Sequence, residues 1–277
     1  MKVFIKIIPV YLFVFLNISG NAIDKVNWKN VKVLVYTKNG KGYVHDNIPY
    51  AVSCIQKLGM QHEFKVDSSG DPSVMTKENL KQYTLLVFTS TNNDVFDTDD
   101  QRLAFRHYIE AGGGFVGIHS VTGTERNWKW FKMMLGCSFS WHAHFQKFKI
   151  RVIDPSHPSI QGLPKVWEKE DECYFGKELY PGPKALMAHD ITSLDTTQRE
   201  LVFKNAGTFA DLYPAVWAYD FDGGHTWVTV LGHDKKDYSD PVYVKHIFQG
   251  IEFVASQVKA LDFKKAYADS RDTPVRY

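Results

Sequence analysis

Gly112-Gly113-Gly114-Phe115-Val116-Gly117-Ile118-His119-Ser120 is the stretch on which the fold of this chain turns. It reads as a glycine turn, a short buried strand and a histidine where the strand ends. An amphipathic helix precedes it, with apolar residues at Leu103, Phe105, Tyr108 and Ile109. Helix, glycines, apolar strand and polar tip make half of an α/β crossover unit. Ligands of open α/β sheets bind outside the carboxyl ends of the strands, so His119 is a candidate for chemistry.

Working outward, residues 31–36 (VKVLVY) form an apolar strand bounded by the loop Asn39-Gly40-Lys41-Gly42. Residues 47–58 read as a helix stopped by Gly59. A second strand is expected over 63–66 and a third over 85–89 (LLVFT), whose continuous apolar run suits a parallel strand covered on both faces. Asp97-Thr98-Asp99-Asp100 is an N-cap signal for the helix ending near Ala111. Strand and helix therefore alternate through the first 120 residues, which predicts a doubly wound, mostly parallel sheet.

The second half adds further strands less regularly. A short helix is expected over 128–135, strands over 145–153, 167–175 and 185–189, and a turn over 154–158. Residues 215–219 and 226–231 pair as a hairpin around Asp222-Gly223-Gly224. A last helix spans 241–258, with Val244, Ile247, Phe248, Ile251 and Val254 along one face. The charged tail after Ala260 is expected to pack loosely. No repeat or linker divides the chain, so residues 23–277 are one domain.

Residues 1–22 show a basic start (Lys2, Lys6), an apolar run over 7–16 and small residues at Gly20 and Ala22. This is the pattern of a secretory signal peptide, cleaved after Ala22, which places the mature protein in the periplasm or outside the cell. After cleavage no stable membrane span is expected. The whole chain has 33 basic and 31 acidic residues, and without Lys2 and Lys6 the two balance. No basic cluster tracks a phosphate backbone, so nucleic acid is excluded as a partner. The three cysteines, Cys54, Cys137 and Cys173, match no zinc or redox spacing and read as buried small hydrophobes. A homo-oligomer is left open.

Three further segments stand beside His119. His45 follows the glycine-rich loop after the first strand. His233 sits at the tip of an apolar strand in Leu231-Gly232-His233-Asp234. Asp171-Glu172 lies among polar and aromatic residues. Three imidazoles and a carboxylate in one cleft suit a divalent, zinc-like metal, and equally suit general acid/base work. His45, His119, His233 and Glu172 are thus the candidate metal ligands, and His119, His233 and Glu172 the candidate catalytic groups. Tyr43, Trp128, Trp141, His142, Tyr174 and Asp234 are candidate substrate contacts. His142 and His144, two apart, share one face of a strand. His157-Pro158 is turn chemistry, and His62, His107 and His246 read as structural.

The chain resembles the ThuA-like, trehalose-utilisation family. The resemblance rests on four pieces: the glycine loop ending at His45; GGGFVGIHS with Trp128 and Trp130 after it; HPSIQGLP with the downstream Asp171-Glu172-Cys173-Tyr174; and the run from Pro214-Ala215-Val216-Trp217 to Leu231-Gly232-His233-Asp234. It covers about Val31 to Ala255. It implies a class I glutamine amidotransferase-like sheet of flavodoxin type and a role in carbohydrate metabolism, often beside enzymes that make 3-keto-glycosides. A small sugar or oxidised sugar is the implied substrate. True amidotransferases carry a nucleophilic cysteine where this chain has His119, and a general-base histidine where it has His233. An imidazole does not replace a thiolate as acyl carrier, so amide transfer from glutamine is not expected. Ser120 lies outside any Gly-x-Ser-x-Gly elbow. Proton abstraction beside a sugar ketone, leading to isomerisation or elimination, is the expected chemistry; a sugar-binding protein without turnover is the alternative.

Overall fold

The computed structural model describes residues 26–276, so the expected signal peptide lies outside the described residues. Strands β1 (Lys32–Tyr36), β2 (Lys65–Ser69), β3 (Leu85–Thr89) and β4 (Gly114–Ile118) alternate with helices α1 (Ile48–His62), α2 (Lys77–Leu80) and α3 (Asp99–Glu110). Then come α4 (Lys129–Leu135), β5 (Ser138–His142), β6 (Gln146–Val152), β7 (Val166–Asp171), β8 (Tyr174–Lys177) and β9 (Lys184–Asp190). Helix α5 (Arg199–Ala206), strands β10 (Leu212–Phe221) and β11 (Gly224–Thr229), and helix α6 (Pro241–Gln257) complete the order.

Nine strands form one sheet in the order β2-β1-β3-β4-β11-β10-β9-β6-β7. From β2 to β11 every pairing is parallel. Beyond β11 every pairing is antiparallel. Val33 pairs with Leu85, and Val116 with both Val87 and Trp227, so the apolar centres of successive strands lie side by side. β3 and β4 are wholly buried because helices cover both faces. On one face Phe115 packs against Phe105 and Phe131, from α3 and α4. On the other, Trp227 meets α6 at His246 and at Gly250, where a Cβ would come within 2.7 Å of the indole.

Local signals explain most element ends. Thr98 and Gln101 form a complete capping box on α3, with Asp99 and Asp100 in its first turn. Asp222 and Gly223 both have positive φ, which lets β10 turn directly into β11. The three cysteines are buried and unpaired.

Several expectations need correction. Gly59 does not stop α1; the helix runs to His62 and Glu63 closes it in the left-handed region. Gly59 is there for packing, since a Cβ would approach Val66 Cγ2 to 2.7 Å. The second strand accordingly starts at Lys65. The strand expected over 167–175 is two strands, β7 and β8, in different sheets, broken at Glu172-Cys173. Strand β5 and helix α5 carried no separate expectation.

The tail after Ala260 is not loose. Arg106 is fully buried, and its Nη1 donates to the carbonyls of Arg271 and Thr273 while Nε pairs with Glu110. Trp128 Nε1 donates to the same Arg271 carbonyl, and Tyr267 N to Glu110 Oε2. Buried donors need acceptors, and the tail backbone supplies them.

All parallel strands end at one edge. The loop after β1, the turn after β4 and the segment after β11 open there. Four antiparallel steps from β11 bring β7 back into the same direction, so its end at Asp171 reaches that edge as well.

Candidate metal centre and substrate cleft

His119 follows directly on β4 and starts a single 3-10 turn, with φ of 56°. A side chain at such a strained strand-to-turn junction is aimed off the end of the sheet. Gly117 makes the junction compact, since a Cβ there would sit 2.8 Å from Val121 Cγ1. His119 is fully buried. Its Nδ1 lies 3.2 Å from the carbonyl of Val230, which can only accept, so Nδ1 carries the proton and Nε2 is a bare lone pair.

His45 is fixed by the same logic. Ser120 donates its hydroxyl hydrogen to the Thr91 carbonyl at 3.2 Å, so its Oγ accepts from His45 Nδ1 at 3.3 Å. The Nε2 atoms of His45 and His119 therefore present lone pairs to each other across 3.1 Å. Two such lone pairs repel unless a cation lies between them. Burial, followed by His233 for His45 and by His45 for His119, pulls both rings below the ordinary imidazole range, His45 to about 4. A proton shared between them is therefore not held at neutral pH.

His233 and Glu172 complete the group. His233 Nδ1 stands 3.3 Å from His119 Nε2 and 3.0 Å from Glu172 Oε2, which is 3.9 Å from His119 Nε2. One ligand atom from each of His45, His119, Glu172 and His233 lies within 4.8 Å of the others. Donors about 2.0–2.1 Å from a tetrahedral ion stand roughly 3.3 Å apart, so the spacing fits a zinc-like ion. Burial disfavours a charge on His233, but the hydrogen bond and charge of Glu172 outweigh it and hold its pKa above the ordinary value.

The carboxylate of Asp171 organises this corner. It is fully buried and accepts from the backbone N–H groups of Gly232 at 2.8 Å, His233 at 3.1 Å and Glu172 at 2.9 Å. Burial alone would raise its pKa; Lys169, 3.2 Å away, keeps it below the usual carboxylate range. Asn47, at the start of α1, donates to the carbonyls of Gly232 and His233 and ties the segment down from the other side.

A cleft of about 340 Å³ opens over these groups, lined by Tyr43, His45, Asn92, Ser120, Gly123, Arg126, Phe139, His142, Glu172, Tyr174 and His233. Among the expected substrate contacts, Tyr43, His142 and Tyr174 line it. The Tyr174 hydroxyl is 3.3 Å from His119 Nε2, and His142 Nδ1 is 3.4 Å from Glu172 Oε1. Tyr43 is mostly exposed and meets His45 edge-on.

Three expected contacts are elsewhere. Trp128 is fully buried in the core, stacked on Trp130 and Phe131, and does not reach the cleft. A large aromatic after the turn fills space between α3, α4 and the tail. Trp141 stacks on Phe175 away from the cleft wall, because an irregularity in the β5–β8 pairing redirects the strand's side chains. Asp234 caps the 3-10 turn over Lys235–Ser239 and pairs with Lys236. Conversely, Arg126, Asn92 and Phe139 line the cleft without having stood out in the sequence. An isolated arginine or asparagine in a loop carries no periodic or spacing signal. An apolar cavity of about 170 Å³ shares Tyr174 with the cleft. No helix among the described residues is long and apolar enough to cross a membrane.

Comparison with known proteins follows the same lines. The structure is similar to a ThuA-like protein from Bacteroides uniformis, at 22% identity and a TM-score of 0.68, over 87% of this chain and 97% of that one. A ThuA-like protein from Parabacteroides merdae gives 20% identity and a TM-score of 0.62, over 81% of this chain and 90% of that one. A carbohydrate deacetylase is similar at 13% identity and a TM-score of 0.50, over 81% of this chain and 32% of that one. At these identities the likeness is one of fold. A search of curated proteins finds no match. The family model described as trehalose utilisation, ThuA, matches residues 32–254, and the chain belongs to that family.

Proposed function

We propose that this protein is an exported enzyme that acts on a sugar or 3-keto-glycoside by metal-assisted proton abstraction, and that it is not a glutamine amidotransferase. The observation that carries this reading is the pair of buried imidazoles whose anchored tautomers point two lone pairs at each other. His45, His119, His233 and Glu172 would hold a divalent, zinc-like ion. Bound there, the ion would supply Lewis acidity toward a ketone oxygen.

The chain's own residues divide the remaining work by exposure. His119 is at the closed floor and cannot touch a substrate carbon. Glu172 turns Oε2 toward His233 and His119 and leaves Oε1 in the cleft beside His142, so Oε1 is the candidate proton carrier. Removal of the proton on the carbon beside the ketone leaves its electron pair to form a carbon–carbon double bond. Expulsion of the glycosidic oxygen from the next carbon, with return of the proton to it, frees the aglycone. Returning the proton to carbon instead gives isomerisation. Tyr43, mostly exposed, offers a flat face to a sugar ring, whereas Tyr174 is buried against His142 and directs its hydroxyl to His119. An imidazole at His119 in place of a thiolate offers no acyl carrier, which argues against amide transfer.

Residues 1–22 motivate export to the periplasm or medium, and N-terminal sequencing from native cells, expected to start near Ile23, tests it. The test of the activity is metal content and product formation from a panel of keto-glycosides, with the purified full chain. Elimination or isomerisation with about one ion per chain is the expected result. Tight sugar binding without turnover would move the assignment to a binding protein. Neither binding nor turnover would remove it.

A further inference from the structure

Arg126 is the permanent cation on the cleft wall, and its guanidinium is held in place without being neutralised. Its Nε donates to the Gly123 carbonyl at 2.9 Å and its Nη2 to Asn92 Oδ1 at 3.1 Å. The ring of Phe139 lies 5.3 Å beneath it. Both hydrogen-bond acceptors are neutral, and among the described residues Arg126 forms no ion pair. The acid of the cleft, Glu172, is engaged by His233 and His142 instead.

The contacts occupy one side of the guanidinium fork. Nη1 and the second hydrogen of Nη2 are left free along the end-on edge. That edge is the one that takes two oxygens of a carboxylate or phosphate in a bidentate arrangement. The protein has thus fixed the fork's plane in advance, which lowers the ordering cost of binding an anion.

We propose that the substrate carries an anionic group, a carboxylate or a phosphate ester, that docks on the free Nη edge of Arg126. This rests on the reading of the cleft as a sugar site and narrows it to acidic sugars. Arg126 then sets specificity and takes no part in proton transfer.

Isothermal titration of the metal-loaded full chain with glucuronate, a hexose phosphate and glucose tests this, in wild type, Arg126→Gln and Arg126→Lys. At least one charged sugar should bind roughly 10- to 100-fold tighter than glucose. Which charged sugar does so distinguishes carboxylate from phosphate. Arg126→Gln should bring that ratio close to one with metal content unchanged, and Arg126→Lys should restore it in part. Equal binding of all three sugars by wild type, or an unchanged ratio in Arg126→Gln, would overturn the proposal and leave sugar binding in place. If no sugar binds, the sugar reading fails, and acetate and inorganic phosphate decide Arg126 separately. Anion binding that Arg126→Gln removes would keep the anion site, and binding that ignores the substitution would abolish it.

Discussion

Two pairs of buried histidines occupy different regions of the molecule. His45 and His119 stand at the carboxyl edge of the parallel strands; His189 and His246 lie inside the packing of β9 and α6. All four are shielded from water, and burial lowers the pKa of each below the ordinary imidazole range. What separates the pairs is company. His189 has no hydrogen-bond partner at either ring nitrogen among the described residues, and Phe148 packs on it. His246 gives Nε2 to Thr229 Oγ1 and is surrounded by Trp167, Trp227 and Tyr243. His45 and His119 instead have their Nδ1 atoms anchored and their Nε2 atoms aimed at each other. A buried histidine by itself indicates packing. Two that are oriented to converge are the basis of the proposed metal site.

His119→Ala and His246→Ala should break this comparison most sharply. His119→Ala is expected to take metal content from about one ion per chain to none and to abolish turnover, with the chain still folded. His246→Ala should leave metal content alone and cost about 2–4 kcal/mol of stability, since it opens a cavity among aromatics. Metal analysis and denaturant unfolding of the two variants side by side would show it. Equal metal content in His119→Ala and wild type would return His119 to a packing role.

Asp171→Asn sharpens the same contrast through a group that touches no substrate. The amide keeps the size of the carboxylate but loses its charge toward Lys169 and one of its acceptor oxygens. The Gly232-His233 segment should loosen, and metal affinity should fall roughly 10- to 100-fold. Competition with a chelator measures this. A variant with native affinity would show that the backbone holds His233 without Asp171.

The smallest effect per residue comes from acid. His45 and His189 titrate at about 4 in the folded chain and His246 at about 3, whereas an unfolded imidazole titrates near 6.5. Between these values the unfolded chain binds more protons than the folded one. The stability these rings contribute is therefore complete above about pH 6.5 and is lost as pH falls toward 4, by roughly 1–2 kcal/mol per buried ring near pH 5. Melting temperature against pH, without metal, checks the sign. A chain that grew more stable from pH 6.5 to 4 would contradict the burial of these rings.

Much of the parallel half was legible because its signals are local. A continuous apolar strand such as 85–89, a capping box at Thr98 and an apolar stripe on 241–258 each operate within a few residues. The corner between β7 and β8 was not legible in the same way. Trp167 to Phe175 has the side-chain character of one strand, and only pairing of β7 with β6 and of β8 with β5 shows where it breaks. Trp128 looked like a sugar platform, because nothing in its neighbourhood tells that the distant backbone of Arg271 takes its indole hydrogen. The tail looked loose for the same reason: its anchors, Arg106 and Glu110, are about 160 residues earlier in the chain.

The sequence by itself determined the elements, the strand tips and the residue types that end them. A histidine after an apolar run is placed at the sheet edge by hydrophobic burial of the run, whatever its partners. The tertiary structure decided which nitrogen of each ring is free, that His45, His119, His233 and Glu172 share one point, and that Arg126 faces the same cleft. Those facts depend on acceptors such as Val230 and Thr91 and on the return of β7 to the edge. They are set by contacts between residues far apart in the chain, where periodicity and spacing carry no information.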